Sequence, residues 1–265
     1  MGAMFMAVVA LGGIGLLLGL GLTFAEKKFK VIEDPRLTAL LDVLPSVNCG
    51  ACGYPGCGNF ASALLSGEAA PSDCPVGGNA TTQAIAGVLG ITVKETVPLS
   101  AFIRCAGGES NSNFRYEYHG MNNCNAVMQL AAGGPKSCSY GCLGGGSCIA
   151  SCDFDAIVIE DGIAKVDNEK CVSCGLCVPA CPKNLIEMVP KASKTRVACN
   201  ASEEARAIRA NCKVGCINCK LCEKACDYAA VHVYHLLAEV EYDKCTDCGE
   251  CVEKCPTKCI VVIER

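Results

Sequence analysis

The spacing of the cysteines constrains this chain more than any other feature. There are 25 in 265 residues, and most fall in tight runs two or three residues apart. A disulfide scaffold is normally a short secreted chain with an even cysteine count, and this chain is long with an odd one. Zinc sites favour paired C-x2-C units, four ligands to an ion. Here Cys171, Cys174, Cys177 and Cys181-Pro182 spell C-x2-C-x2-C-x3-C-P, and Cys245, Cys248, Cys251 and Cys255-Pro256 repeat it. Three thiolates at i, i+3 and i+6 wrap one corner of an iron–sulfur cubane, and the fourth reaches the neighbouring cluster. The Cys-Pro step then turns the chain away, because proline cannot continue a helix. The chemistry implied is [4Fe-4S] binding.

A shift of 74 residues superimposes the two runs and extends the match upstream. Cys138, Cys142, Cys148 and Cys152 fall on Cys212, Cys216, Cys222 and Cys226. Between Cys152 and Cys171, and again between Cys226 and Cys245, two short apolar runs flank a turn, which predicts a β-hairpin in each copy. The expectation is two tandem ferredoxin-like units, each holding two cubanes. By the crossover rule, Cys152, Cys171, Cys174 and Cys177 form one site, and Cys226, Cys245, Cys248 and Cys251 its counterpart. Cys216, Cys219, Cys222 and Cys255 form another. The first unit has Gly145 where the second has Cys219, so Cys138 is taken as the substitute beside Cys142, Cys148 and Cys181.

Upstream, Asp34-Pro35 predicts a helix start, with Leu37, Leu40, Leu41 and Leu44 at helical spacing and Pro45 as the stop. Cys49, Cys52, Cys57 and Cys74 follow as C-x2-C-x4-C-x16-C, with a short helix expected over 59–65. Four thiols alone would also suit zinc. The glycines between the first three let the backbone wrap a bulkier inorganic core.

Met1 to Ala25 has no ionisable side chain and is long enough, as a helix, to cross a bilayer. Lys27, Lys28 and Lys30 follow, so the positive-inside rule puts the rest of the chain in the cytoplasm. The alternative, a cleaved signal peptide, would carry a basic start, which is missing, and a small-residue cleavage site, of which Thr23-Phe24-Ala25 is a poor example, so a retained anchor is favoured. A net charge of −4 without a long basic run argues against nucleic acid as a partner. No G-x-G-x-x-G fingerprint, P-loop or Ser/His/Asp grouping appears, so no catalytic residue is expected. With no Trp and few Phe or Tyr, the domain cores are expected to be small and to lean on their metal centres for stability.

In this order, a membrane anchor, the C-x2-C-x4-C-x16-C run and two ferredoxin units resemble the B component of the Rnf (Rsx) electron transport complex, over essentially the whole chain. The resemblance implies a subunit of an ion-translocating ferredoxin:NAD+ oxidoreductase. It would accept electrons from soluble ferredoxin and pass them to membrane redox subunits, with Na+ or H+ translocated and NAD+ reduced elsewhere in the complex. Many members carry one ferredoxin unit, and this chain has two. Reduction of a redox-sensing transcription factor, or a stand-alone membrane polyferredoxin, remain the alternative roles.

The expected fold is α+β: a transmembrane anchor at 1–25, a four-cysteine [4Fe-4S] domain at 26–90, a connector at 91–135 and ferredoxin-like units at 136–190 and 191–265, on the cytoplasmic side of the inner membrane. Five clusters use twenty cysteines. Cys259, in an apolar run, reads as a small buried hydrophobe. Cys105, Cys124, Cys199 and Cys212 are left, enough for a sixth cubane, although Cys212 and Cys219 could exchange roles or the four could be unrelated buried thiols. Finally, residues 183–224 hold nine basic and four acidic side chains, including Lys191, Lys194 and Arg196, a net +5 suited to steering an acidic ferredoxin.

Overall fold

A computed structural model describes residues 2–28 and 34–263. Lys30, one of the three lysines behind the expected orientation, lies outside the described residues.

Helix α1 (Gly2–Lys28) contains one apolar stretch, Val9–Lys28, of 20 residues with mean hydropathy 1.8, none of it buried in the protein. Its leucines stand exposed, as a bilayer-facing surface requires. The next unit is helical. In α2 (Pro35–Val43) the Asp34 carboxylate caps the helix by accepting from the Arg36 N–H at 2.9 Å, with Pro35 in the first turn. Helices α3 (Cys57–Ser66) and α4 (Gly78–Leu89) pack on it around Leu40, Leu44, Phe60, Leu64 and Ile85. The helix expected over 59–65 is α3.

The two ferredoxin-like units follow, and each hairpin expected from the sequence forms. Strands β2 (Ile157–Glu160) and β3 (Ile163–Val166) pair antiparallel. Their counterparts 74 residues on, β6 (Val231–Tyr234) and β7 (Leu237–Val240), pair in the same register. One-turn helices carry the cysteines: α6 (Ser147–Ala150) and α7 (Cys177–Ala180) in the first unit, α9 (Leu221–Lys224) and α10 (Glu250–Glu253) in the second.

Each unit is completed by a second two-stranded sheet that the repeat alone did not reveal. Strand β1 (Leu99–Ile103) pairs antiparallel with β4 (Ile186–Pro190), and β5 (Thr195–Val197) pairs with β8 (Ile260–Val262). Met188 faces Ala101, and Val262, 74 residues further on, faces Thr195. β1 and β5 are therefore equivalent strands, but 94 residues apart instead of 74. The stretch expected as a connector thus supplies the opening strand of the first unit. It also holds α5 (Cys124–Met128), capped by the Asn123 side chain. Helix α8 (Ala205–Asn211) lies between β5 and the cysteines of the second unit.

The cores are small and built partly of thiols. Cys199, Cys216, Cys222, Cys251 and Cys259 pack with Ile208, Val231 and Ile260 in the second unit, and Cys142, Cys148 and Cys177 with Ile157, Leu185 and Ile186 in the first. Arg196, expected on a solvated basic face, is 1% exposed. It lies on β5 with its guanidinium carbon 5.3 Å from the Phe102 ring centre, and its Nη2 donates to Ser193 O at 3.1 Å. It ties the two units together and is unavailable for docking.

Candidate metal centres

All 25 cysteines are free thiols. Among the described residues, no three His, Cys, Asp or Glu side chains converge as a single metal ion would need. Instead, thiols stand in groups around spaces. Cys216, Cys219, Cys222 and Cys255 line one pocket, and Cys226, Cys245, Cys248 and Cys251 line another. Thiols spread around a volume, not drawn to a point, suit a cluster better than zinc, whose four ligands all lie about 2.3 Å from one ion.

Electrostatics gives the same groupings. Burial, then the nearby Cys245, Cys226 and Cys248 thiols, push Cys251 up to about 11. Burial, with Cys216, Cys219 and Cys255 among the other causes, pushes Cys222 up to about 12. In the first unit, burial followed by Cys174 and Cys171 pushes Cys177 up to about 12. Cys174 is pushed up by burial and, to a lesser degree, by Cys152 and Cys171. In the helical domain Cys74 is raised by burial, with Cys52, Cys57 and Cys49 adding to it. Such thiols stay protonated at neutral pH until a metal displaces the proton.

The first unit's other site differs from expectation. The pocket lined by Cys142, Cys148 and Cys181 is completed by Cys124. Cys138 lines a separate pocket with Cys105, Cys199 and Cys212. The set Cys138, Cys142, Cys148 and Cys181 is therefore not brought together, and neither is Cys105, Cys124, Cys199 and Cys212. Gly145 explains the exchange. A Cβ there would fall 2.8 Å from Cys124 N and 2.9 Å from Asn123 C. The missing side chain leaves room for the 123–124 backbone, which Ser147 Oγ holds by accepting from Cys124 N–H at 2.9 Å. The position that holds glycine where the second unit has Cys219 thus admits a cysteine from a distant segment.

Cys259 is 2% exposed, and its Sγ lies 3.6 Å from Cys255 Sγ. Hydrogen bonding from Cys259 holds the Cys255 and Cys216 thiols below their ordinary range, and Cys259 itself is driven up by the same two contacts. The small buried residue expected from sequence also sits against Cys255 in the lining of the same pocket, within reach of an S–H···S hydrogen bond. Its counterpart in the first unit, Leu185, has no such group.

Family comparisons agree with this division. An Fe-S cluster family model matches residues 44–76. Models of the 4Fe-4S dicluster domain match 139–188 and 215–260, and a third match over 170–230 runs from one unit into the next. The chain holds [4Fe-4S] clusters. Over 97% of its length it is 45% identical to the B component of the Na(+)-translocating ferredoxin:NAD(+) oxidoreductase complex of Acetobacterium woodii, covering 78% of that protein. It is 39% identical over 96% of its length to the B component of the ion-translocating oxidoreductase complex of Methanosarcina acetivorans, covering 96% of it. The chain belongs to the family of B components of ion-translocating oxidoreductase complexes. A proton-translocating relative from Clostridium ljungdahlii is 38% identical over 99% of this chain and covers 94% of that protein. Membership makes the chain an electron-transfer subunit of a multi-subunit oxidoreductase associated with a membrane, in keeping with α1.

Proposed function

We propose that this chain accepts electrons from reduced ferredoxin and relays them through [4Fe-4S] clusters to membrane redox subunits. The complex would couple that flow to Na+ or H+ translocation and NAD+ reduction. The observation that carries the reading is the run of thiol-lined sites through a chain that begins with an apolar helix. The names of the A. woodii and C. ljungdahlii relatives include ferredoxin and NAD+ and differ in the ion.

Five sites would hold cubanes, which supply one-electron transfer when bound. Cys49, Cys52, Cys57 and Cys74 would hold the first, and Cys124, Cys142, Cys148 and Cys181 the second. Cys152, Cys171, Cys174 and Cys177 would hold the third, Cys216, Cys219, Cys222 and Cys255 the fourth, and Cys226, Cys245, Cys248 and Cys251 the fifth. The protein's part is to bury these thiols, exclude water and aim backbone N–H groups at sulfur, as Leu185 N does to Cys181 and Ala230 N to Cys226. Bond chemistry would take place on other subunits.

Ferredoxin would dock on the second unit. Cys219 and Cys248 are exposed, and Lys213, Lys220 and Lys224 stand exposed near Cys219 in sequence. With Lys27 and Lys28 in the last turn of α1, the ferredoxin units would lie in the cytoplasm. A C-terminal reporter active only in the periplasm should give no signal, and a strong one would reverse that orientation. Anaerobic rapid mixing of the iron-loaded chain with reduced ferredoxin tests the donor. Cluster absorption should bleach as ferredoxin is oxidised, faster at low salt. Ferredoxin that stays reduced beside a fully loaded chain would refute the reading.

A further inference from the structure

The cavity between the two ferredoxin units is the one whose thiols no signature run explains. We infer that Cys105, Cys138, Cys199 and Cys212 form a sixth [4Fe-4S] site that joins the two units into one continuous relay. Its purpose rests on the electron-transfer reading above; its existence rests on geometry alone.

The four thiols come from separate places in the chain yet line one pocket, as the signature cysteines line theirs. They form two equivalent pairs. Cys138 and Cys212 are related by the 74-residue repeat. Cys105 and Cys199 each lie two residues past the end of an equivalent strand, β1 or β5, and so are related by the 94-residue shift of those strands. Each unit therefore contributes the same two positions.

The second shift shows in the hydrogen bonds. Cys142 N donates to Cys105 Sγ at 3.4 Å, and its repeat partner Cys216 N donates to Cys199 Sγ at 3.3 Å. Each thiol is thus placed against a backbone N–H of the kind that tunes a ligand sulfur. The sequence separation is 37 residues in the first case and 17 in the second, which is why an ungapped shift does not find the pair.

The wall includes glycines at 107, 141 and 215. A Cβ on Gly107 would lie 3.1 Å from Cys212 Sγ, so the missing side chain leaves room beside that sulfur.

The position gives the site its role. Cys105 is hydrogen-bonded to Cys142, which lines the second site, and Cys199 to Cys216, which lines the fourth. The second site adjoins the third, since α6, which carries Cys148, packs on α7, which starts at Cys177, and the fourth adjoins the fifth in the same way through α9 and α10. The domain of the first site lies between α1 and the first unit in the chain. The sites then run fifth, fourth, sixth, second, third, first, from the exposed cysteines of the second unit to the domain that follows α1.

Iron analysis of the full chain, purified anaerobically in detergent, tests this at about four irons per cubane. The unaltered chain should hold about 24 irons, where five sites would give about 20. Cys105→Ala and Cys138→Ala should each remove about four, and the double variant the same four and no more, because both ligands serve one cluster. Cys105→Ala with Cys124→Ala should remove about eight. A loss of about eight from Cys105→Ala with Cys138→Ala would assign Cys138 to the first unit and overturn the ligand set. Full iron in both single variants, or about 20 in the unaltered chain, would overturn the site itself. If a variant unfolds and loses all its iron, the count on the unaltered chain still decides. A count of about 24 with no response to ferredoxin would leave this site standing and remove the donor reading instead.

Discussion

Replacing Gly145 by alanine should disable one cluster site while sparing the others. The new Cβ would lie 2.8 Å from Cys124 N, 2.9 Å from Asn123 C and 3.2 Å from Asn123 N, all backbone atoms that cannot rotate away. That segment is pinned on several sides. Asn123 N donates to Met121 O at 2.9 Å, the Asn123 side chain accepts from Asn125 N at 2.9 Å, and Cys124 N donates to Ser147 Oγ at 2.9 Å. Forced overpacking of this kind costs about 1–3 kcal/mol, and the strain falls on the residue that brings the Cys124 thiol to its cavity. Gly145→Ala should therefore lose about four irons per chain, the content of one cubane, and shift its urea midpoint downward. Gly87→Ala is the control: it lies inside α4 with nothing within 4 Å of its Cβ. It should keep all its iron and gain about 0.5–1 kcal/mol from the better helix former. Full iron and an unchanged midpoint in Gly145→Ala would refute the argument that this glycine makes room for Cys124.

Three further outcomes follow from the site geometry. Cys259→Ala should leave iron content unchanged but lower the potential of the site formed by Cys216, Cys219, Cys222 and Cys255, because donation to a ligand sulfur favours the reduced, more negative state. One hydrogen bond of about 1 kcal/mol corresponds to about 40 mV for a one-electron couple, and an EPR-monitored titration that shows no shift would remove the tuning role. Reversing Lys213, Lys220 and Lys224 to Glu should slow reduction by ferredoxin at low salt and flatten its salt dependence; an unchanged association rate would move the docking face elsewhere. Stripping iron with a chelator under anaerobic conditions should abolish cooperative unfolding of both ferredoxin units, since their cores are small and partly thiol. A sharp thermal transition in the iron-free chain would contradict that dependence.

The signature runs were legible in the sequence because their cysteines are local: Cys245, Cys248 and Cys251 fall within seven residues and line one pocket, and both runs lie inside matches to the 4Fe-4S dicluster domain. Both hairpins were legible for the same reason, as was the capped start of α2 at Asp34. The partner of Cys142 and Cys148 was not. Sequence showed that a cysteine was missing at Gly145, but only the path of the chain decides whether Cys124 or Cys138 fills the space. The equivalence of Cys105 with Cys199 was hidden because β1 and β5 are only five and three residues long and sit at a different offset from the cysteines. Arg196 shows a further limit. A run of basic residues gives net charge but not direction, and in β5 this one turns inward beneath Phe102 while Lys194, two residues earlier, is exposed.

Rapid-freeze EPR after mixing the iron-loaded chain with reduced ferredoxin tests the relay most directly. The signal of the first site is the one absent from Cys49→Ala, and in the unaltered chain it should appear after the signals of the second ferredoxin unit. In the Cys105→Ala, Cys199→Ala double variant, the second unit should still be reduced while the first site stays oxidised. Reduction of the first site at an unchanged rate in that variant would contradict a single relay running through the junction of the two units.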